Sequence, residues 1–239
     1  MSFDGWSCGK SIRPDMSRPK PETDQEAGQA ELRWREERLN GWIHAAGVPL
    51  AVLAALWLVG RAIQYGNPWL VVACAVYGLS ATGVFLNSAL SHLVTRMPAR
   101  MWYRRLDQGF IYLLIMGTCT PFSMTVFPAW WCWAILGPMW IVALLGFVSK
   151  VFWSHRINRI SLISYLAVGW IPPLAALPVI DDVPRQALWG IVSGGLLYTG
   201  GTWFLKNDRR HRYFHAIWHV MVLVAAGIHF ATTLAFTFP

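Results

Sequence analysis

The chain is 239 residues long, 55% hydrophobic and only 13% charged, about half the charged share of an ordinary soluble domain. Its formal net charge of +8 does not make it a nucleic-acid binder, because the basic residues sit in short stretches between apolar runs. No Asp, Glu, Lys or Arg occurs in 62–94, 108–149 or 213–239, and about 20 apolar residues span a bilayer as a helix, so the composition excludes a soluble domain and indicates a polytopic membrane protein.

Residues 1–34 are polar and rich in Pro, Asp, Glu, Ser and Gly, with no apolar core of a cleavable signal peptide. They read as a disordered tail, followed by one membrane domain over 35–239. Apolar runs predict seven helices in that domain, at 41–61, 69–91, 108–127, 129–149, 157–179, 186–205 and 213–237. Pro68 and Pro128 fall at helix starts, where a missing N–H does no harm, while Pro172 and Pro173 fall inside the fifth span and predict a kink. Thr118, Thr120 and Ser123 flank Pro121 in the third span, where they either satisfy local backbone or line a cavity. Tryptophans near span ends, among them Trp42, Trp69, Trp130, Trp131, Trp153 and Trp170, read as the aromatic belt of a membrane interface. Cys8, Cys74, Cys119 and Cys132 show no C-x-x-C spacing and read as small apolar residues rather than a disulfide or zinc–thiolate frame.

With seven spans, the second, fourth and sixth loops share a side with the N-terminus. Those loops carry eleven basic residues, whereas the other three carry only Arg61 and Arg185. The bias predicts a cytoplasmic N-terminus and an outside C-terminus in a plasma (inner) membrane.

That topology gathers polar side chains at the cytoplasmic leaflet. His92 ends the second span, Asp107 begins the third, and HRYFHAIWH carries His211, His215 and His219 into the seventh. Glu37, Asn40 and His44 flank the start of the first span on one helix face. Ionisable residues in a span are costly and are functional candidates. His211 and His219 are about 12 Å apart along a helix axis, too far for one ion bonded at about 2.0–2.1 Å. His211 also lies in DRRHR, a hydrated basic loop, so His215 and His219 are the pair that converges, with His92 as the third metal ligand. Three histidines with an open fourth position are the pattern of a catalytic Zn2+. Asp107 then fits as the carboxylate that holds or deprotonates a water, and Ser88, one helical turn before His92, as a hydrogen-bonding partner of that water or of a substrate oxygen. As structural alternatives, the histidines bridge helices, Asp107 caps the third helix, and Ser88 bonds its own backbone. Glu37, Asn40 and His44 either pin the first span to the basic loops, or Glu37 or Asn40 orients a metal-bound histidine, with His44 a lesser candidate ligand. His155 reads as a loop residue, and His229 as bonded to a neighbouring helix.

These same residues carry a family resemblance. Glu-x2-Asn-x3-His in EERLNGWIH, Ser-x3-His in SALSH with a following Asp107, and His-x3-His in FHAIWH resemble, in order, the three motifs of the hemolysin III family within the progestin and adipoQ receptor (PAQR) superfamily. The resemblance covers about 35–239 and implies an all-α, seven-helix membrane bundle with Zn2+ on His92, His215 and His219. It also implies kinship with alkaline ceramidases, and so hydrolysis of membrane lipid amides or esters, with Asp107 and Ser88 as catalytic residues. A receptor or sensor with structural zinc, and a pore-forming hemolysin, are the alternative functions, although uniformly apolar spans give the pore no polar lumen.

Overall fold

The structure is a computed structural model describing residues 23–153 and 159–238. Contacts divide the chain into two units, Met1–Arg35 and Glu36–Pro239. Among the described residues there are seven α-helices: α1 (Asp24–Tyr65), α2 (Pro68–Leu93), α3 (Met97–Val126), α4 (Ala129–Val148), α5 (Arg159–Ala175), α6 (Arg185–Asn207) and α7 (Phe214–Thr237). A π-turn over Ser149–Trp153 follows α4, and a 3-10 segment over Leu177–Asp182 follows α5. This is an all-α membrane protein.

Among the described residues, five helices are long and apolar enough to cross a membrane: α1, α2, α3, α7, and α4 with its π-turn. The other two expected spans are weaker. Among the described residues α5 has 17, about 25 Å of helix against a hydrocarbon core of about 30 Å, and residues 154–158 before it lie outside the described residues. The helix contains Pro172 and Pro173 and stops at Ala175, short of the expected 179, where Pro178, which has no N–H to continue the helix, opens the 3-10 segment. α6 is 23 residues long, but glycines at 190, 194, 195, 200 and 201 lower its hydropathy without adding charge.

Two helix starts differ from expectation for one reason. α1 begins at Asp24, so the end of the segment read as disordered is helical, and residues 1–22 lie outside the described residues. Its first turns, rich in Gln, Ala, Glu and Arg, are strong helix formers, and Glu31 pairs with Arg35 at 3.0 Å. α3 begins at Met97, with Pro98 in its first turn, so the basic segment Arg100–Arg105 is helical. Charged helical turns outside the hydrocarbon carry no hydropathy signal. At α2, Asn67 accepts hydrogen bonds from the backbone of Trp69 and Leu70, and Pro68 opens the helix as expected.

Leu53, Leu56, Trp57, Leu79, Leu144 and Leu145 all point outward, each more than half exposed. An apolar face of that size belongs in lipid rather than water. Lipid removes much of the hydrophobic drive for helix association, so the helices depend on close packing. One cluster packs Leu58, Leu70, Val84 and Phe85 with Val222, and a second packs Met116, Leu136, Ala143 and Val168. Small residues set the closest approaches. A Cβ at Gly194 would lie 2.3 Å from His229 Nε2, and one at Gly190 would lie 2.0 Å from Thr232 Oγ1, so α6 meets α7 through glycine. Gly194→Leu is expected to cost about 1–3 kcal/mol by overpacking. A lowered thermal midpoint in detergent checks this, and an unchanged midpoint would contradict it.

Trp42, Trp69, Trp130 and Trp153 are outward-facing, as an interfacial belt requires. Trp131 and Trp170 are not part of it. They turn inward and donate to the Ala175 carbonyl and the Thr199 hydroxyl.

Candidate metal centre

The C-terminal end of α2, the first turns of α3 and α7, and α1 near Glu37 converge at one end of the bundle. Gly41 permits this approach, since a Cβ there would lie 2.5 Å from Leu93 and 3.2 Å from the His92 Cβ. α1 therefore runs against the end of α2 closely enough for Glu37 to reach His92.

His92, His215 and His219 each offer a ring nitrogen, and the three atoms lie within 4.8 Å of one another. His92 and His219 are buried and His215 is partly buried. His92 Nε2 and His219 Nε2 face each other at 3.2 Å. Two nitrogens on one tetrahedral zinc are about 3.3 Å apart at bond lengths of 2.0–2.1 Å. The three histidines form a group able to hold a metal ion.

Carboxylates set the chemistry of two of the rings. His92 Nδ1–H donates to Glu37 Oε2 at 2.8 Å, and His215 Nδ1–H donates to Asp208 Oδ2 at 2.8 Å. Each bond fixes the tautomer and leaves the lone pair on Nε2, the nitrogen a metal needs. Glu37 is itself held by the Arg100 guanidinium, with Arg104 at 3.7 Å. The two sequence readings of Glu37 therefore hold together: it orients His92 and ties α1 to the basic turns of α3. Asn40 is buried nearby but, among the described residues, makes no hydrogen bond to the three rings. Glu37→Gln and Asp208→Asn are each expected to weaken metal affinity by about 10–100-fold. Competition against a metal-binding dye reads this, and unchanged affinity in both variants would contradict it.

Asp208 was not singled out in the sequence, where it belongs to the stretch read as a hydrated basic loop. That loop folds back on itself. Tyr213 adopts a left-handed conformation (φ 63°), and Arg212 lies over the Tyr213 ring and bonds Glu36 at 2.6 Å. A left-handed non-glycine residue is uncommon, and here it reverses the chain just before α7. His211 stays exposed, packed on the Phe214 ring at 4.6 Å and outside the metal group.

Asp107 is not at the start of its helix. It lies in the third turn of α3, so the capping reading does not hold. Its carboxylate interacts with His215, Ser88 and Arg104. Ser88 is fully buried, and its hydroxyl has no formed hydrogen bond although it faces that carboxylate, so the reading in which it bonds its own helix does not hold either. His44 is buried against His219, with ring centroids 4.0 Å apart, and donates from Nε2 to the His219 carbonyl. It stands outside the three-nitrogen group. His229 donates to the Ile191 carbonyl of α6, as a helix-bridging histidine does. His155 lies outside the described residues.

Ser88, Asp107, His215 and His219 line the head of a cavity of about 140 Å³ that continues between α3, α5, α6 and α7. Its walls are mainly apolar, with Ile111, Leu114, Ile115 and Val222 among them. Thr118 contributes both ways, bonding the Leu114 carbonyl and lining the cavity, whereas Thr120 bonds the Met116 carbonyl.

Comparison with known proteins is consistent with this arrangement. Residues 32–230 match the family model described as haemolysin-III related. Hemolysin-3 of Bacillus cereus is 31% identical over 86% of this chain and 93% of its own length. A hemolysin-3 homolog of Bacillus subtilis is 32% identical, over 84% of this chain and 93% of its own. The human monocyte to macrophage differentiation factor is 26% identical over 82% of both chains. No solved structure matches the chain.

Proposed function

Since the chain belongs to the haemolysin-III related family, within the PAQR superfamily, we propose that it is a multi-pass membrane hydrolase of lipid amides or esters, with Zn2+ held by His92, His215 and His219. The observation that carries this reading is the carboxylate-oriented histidine cluster at the head of an apolar cavity. When bound, zinc supplies a Lewis acid for a carbonyl oxygen and brings the pKa of water near 7.

The chain's own residues do the rest. Asp107 accepts a proton from the attacking water at its carboxylate and returns it to the leaving amine or alcohol. The Ser88 hydroxyl, which faces the Asp107 carboxylate, donates to the carbonyl oxygen of the substrate. Glu37 and Asp208 keep the rings of His92 and His215 turned inward. The apolar walls hold the acyl chain and exclude bulk water from the bond under attack.

All seven helices span the membrane in this account. The basic turns around Arg100, Arg104, Arg209 and Arg212 face the cytoplasm, and the site lies at the inner leaflet of the plasma membrane. A lipid substrate enters laterally between helices. The test is release of free fatty acid from a panel of lipid amides and esters by the zinc-loaded protein. Release that disappears with a chelator is the expected result. No release from any lipid while zinc is bound would overturn the hydrolase and leave the metal a structural role, as in a sensor.

A further inference from the structure

The metal centre uses only one end of the cavity. The far end is polar as well, and its hydrogen bonds are not all spent. Thr118 donates to the Leu114 carbonyl at 2.7 Å, and Thr199 donates to the Gly195 carbonyl at 2.7 Å while accepting from Trp170 Nε1 at 3.0 Å. Thr202, one turn nearer the histidine cluster, donates to the Thr199 carbonyl at 2.7 Å. Two groups remain. The Tyr198 hydroxyl is buried and has no partner. His229 donates from Nε2 to the Ile191 carbonyl at 3.1 Å, which in the neutral ring leaves the Nδ1 lone pair available. The two rings are neighbours, with centroids 5.6 Å apart, and both line the cavity.

A donor without an acceptor, on a ring beside one with an unused acceptor, is a poor arrangement inside a bilayer unless something joins them. A hydroxyl group does so, accepting from Tyr198 Oη–H and donating to His229 Nδ1. We infer that Tyr198 and His229 form a subsite for a hydroxyl carried partway along an acyl chain, so that the preferred lipid is a hydroxylated one. The spacing follows from α7, where His219 and His229 are ten residues apart, about 15 Å along the axis. The inference rests on the proposed role of the cavity as the acyl-chain site, and adds a second polar anchor to it.

The experiment measures binding of two matched N-acyl amides to the detergent-purified full chain, one with a plain chain and one with a single mid-chain hydroxyl. Binding is read directly by native mass spectrometry, so that it does not depend on turnover. The hydroxylated lipid is expected to bind roughly ten-fold more tightly, the yield of two net hydrogen bonds. A series with the hydroxyl moved along the chain should show one optimum, about 15 Å from the head group. Tyr198→Phe removes only the phenolic oxygen, so it should bind the plain lipid as before and reduce the preference to about three-fold. Equal binding of both lipids, or an undiminished preference in Tyr198→Phe, would overturn the subsite and leave the acyl-chain reading intact. If neither lipid binds, both readings fail together.

Discussion

Replacing Asp107 with alanine is expected to abolish lipid hydrolysis while zinc stays bound. The carboxylate is absent from the three-nitrogen group, so its loss removes no metal ligand. It does remove the one carboxylate among the described residues that lines the cavity beside His215 and Ser88. General-base catalysis contributes about 10²–10⁴-fold, so turnover should fall by at least about a hundred-fold. Asp107→Asn keeps the shape and removes the basicity, and should be almost as inactive. The readout pairs fatty acid release with metal content on the same preparation. Full turnover in Asp107→Ala would remove the residue from the chemistry, and loss of zinc together with turnover would make it part of the metal site instead.

The second large effect concerns stability. A metal that binds only the folded chain stabilises it by linkage, by about 4 kcal/mol when the free ion is a thousand-fold above its dissociation constant. The three histidines come from two distant segments, with His92 at the end of α2 and His215 and His219 at the start of α7, so a bound ion would tie the helices together at that end of the bundle. Chelation should therefore lower the thermal midpoint of the wild-type protein clearly. His92→Ala should start from the lower midpoint and be insensitive to chelator. It also strips Glu37 of its histidine partner, leaving the carboxylate with Arg100 and Arg104, so helix contacts there persist without the metal. A wild-type midpoint indifferent to chelator and to added zinc would contradict this.

Much of the fold was legible because hydropathy and charge act over whole segments. The runs without charged residues marked the helices, and Pro68 and Pro128 lay where helices begin. What hydropathy does not register are the turns beyond the membrane, and that is where α1 and α3 were drawn too short. The shift at α3 had consequences, since it moved Asp107 from a helix start to the third turn and so removed the capping alternative.

The three histidines were legible because i,i+4 spacing and a shared bundle end are both sequence properties. Their carboxylate partners were unevenly so. Glu37 lay on a helix face that periodicity points out, whereas Asp208 reaches His215 only through the turn that ends at left-handed Tyr213. No spacing rule announces that turn. The Tyr198–His229 pair was similarly hidden, because it arises where α6 and α7 cross through Gly194. Glycines in an apolar helix report close packing but not which side chain fills the groove.

HRYFHAIWH supplies two of the three histidines of the proposed zinc site, and His92 completes it. The most direct measurement is the metal content of the detergent-purified protein, wild type beside His219→Ala. The account predicts about one zinc per wild-type chain and little or none in the variant, since two histidines without the third hold zinc weakly. A wild-type protein that carries no metal, even after zinc is offered, would contradict it and make the three histidines hydrogen-bonding contacts between helices.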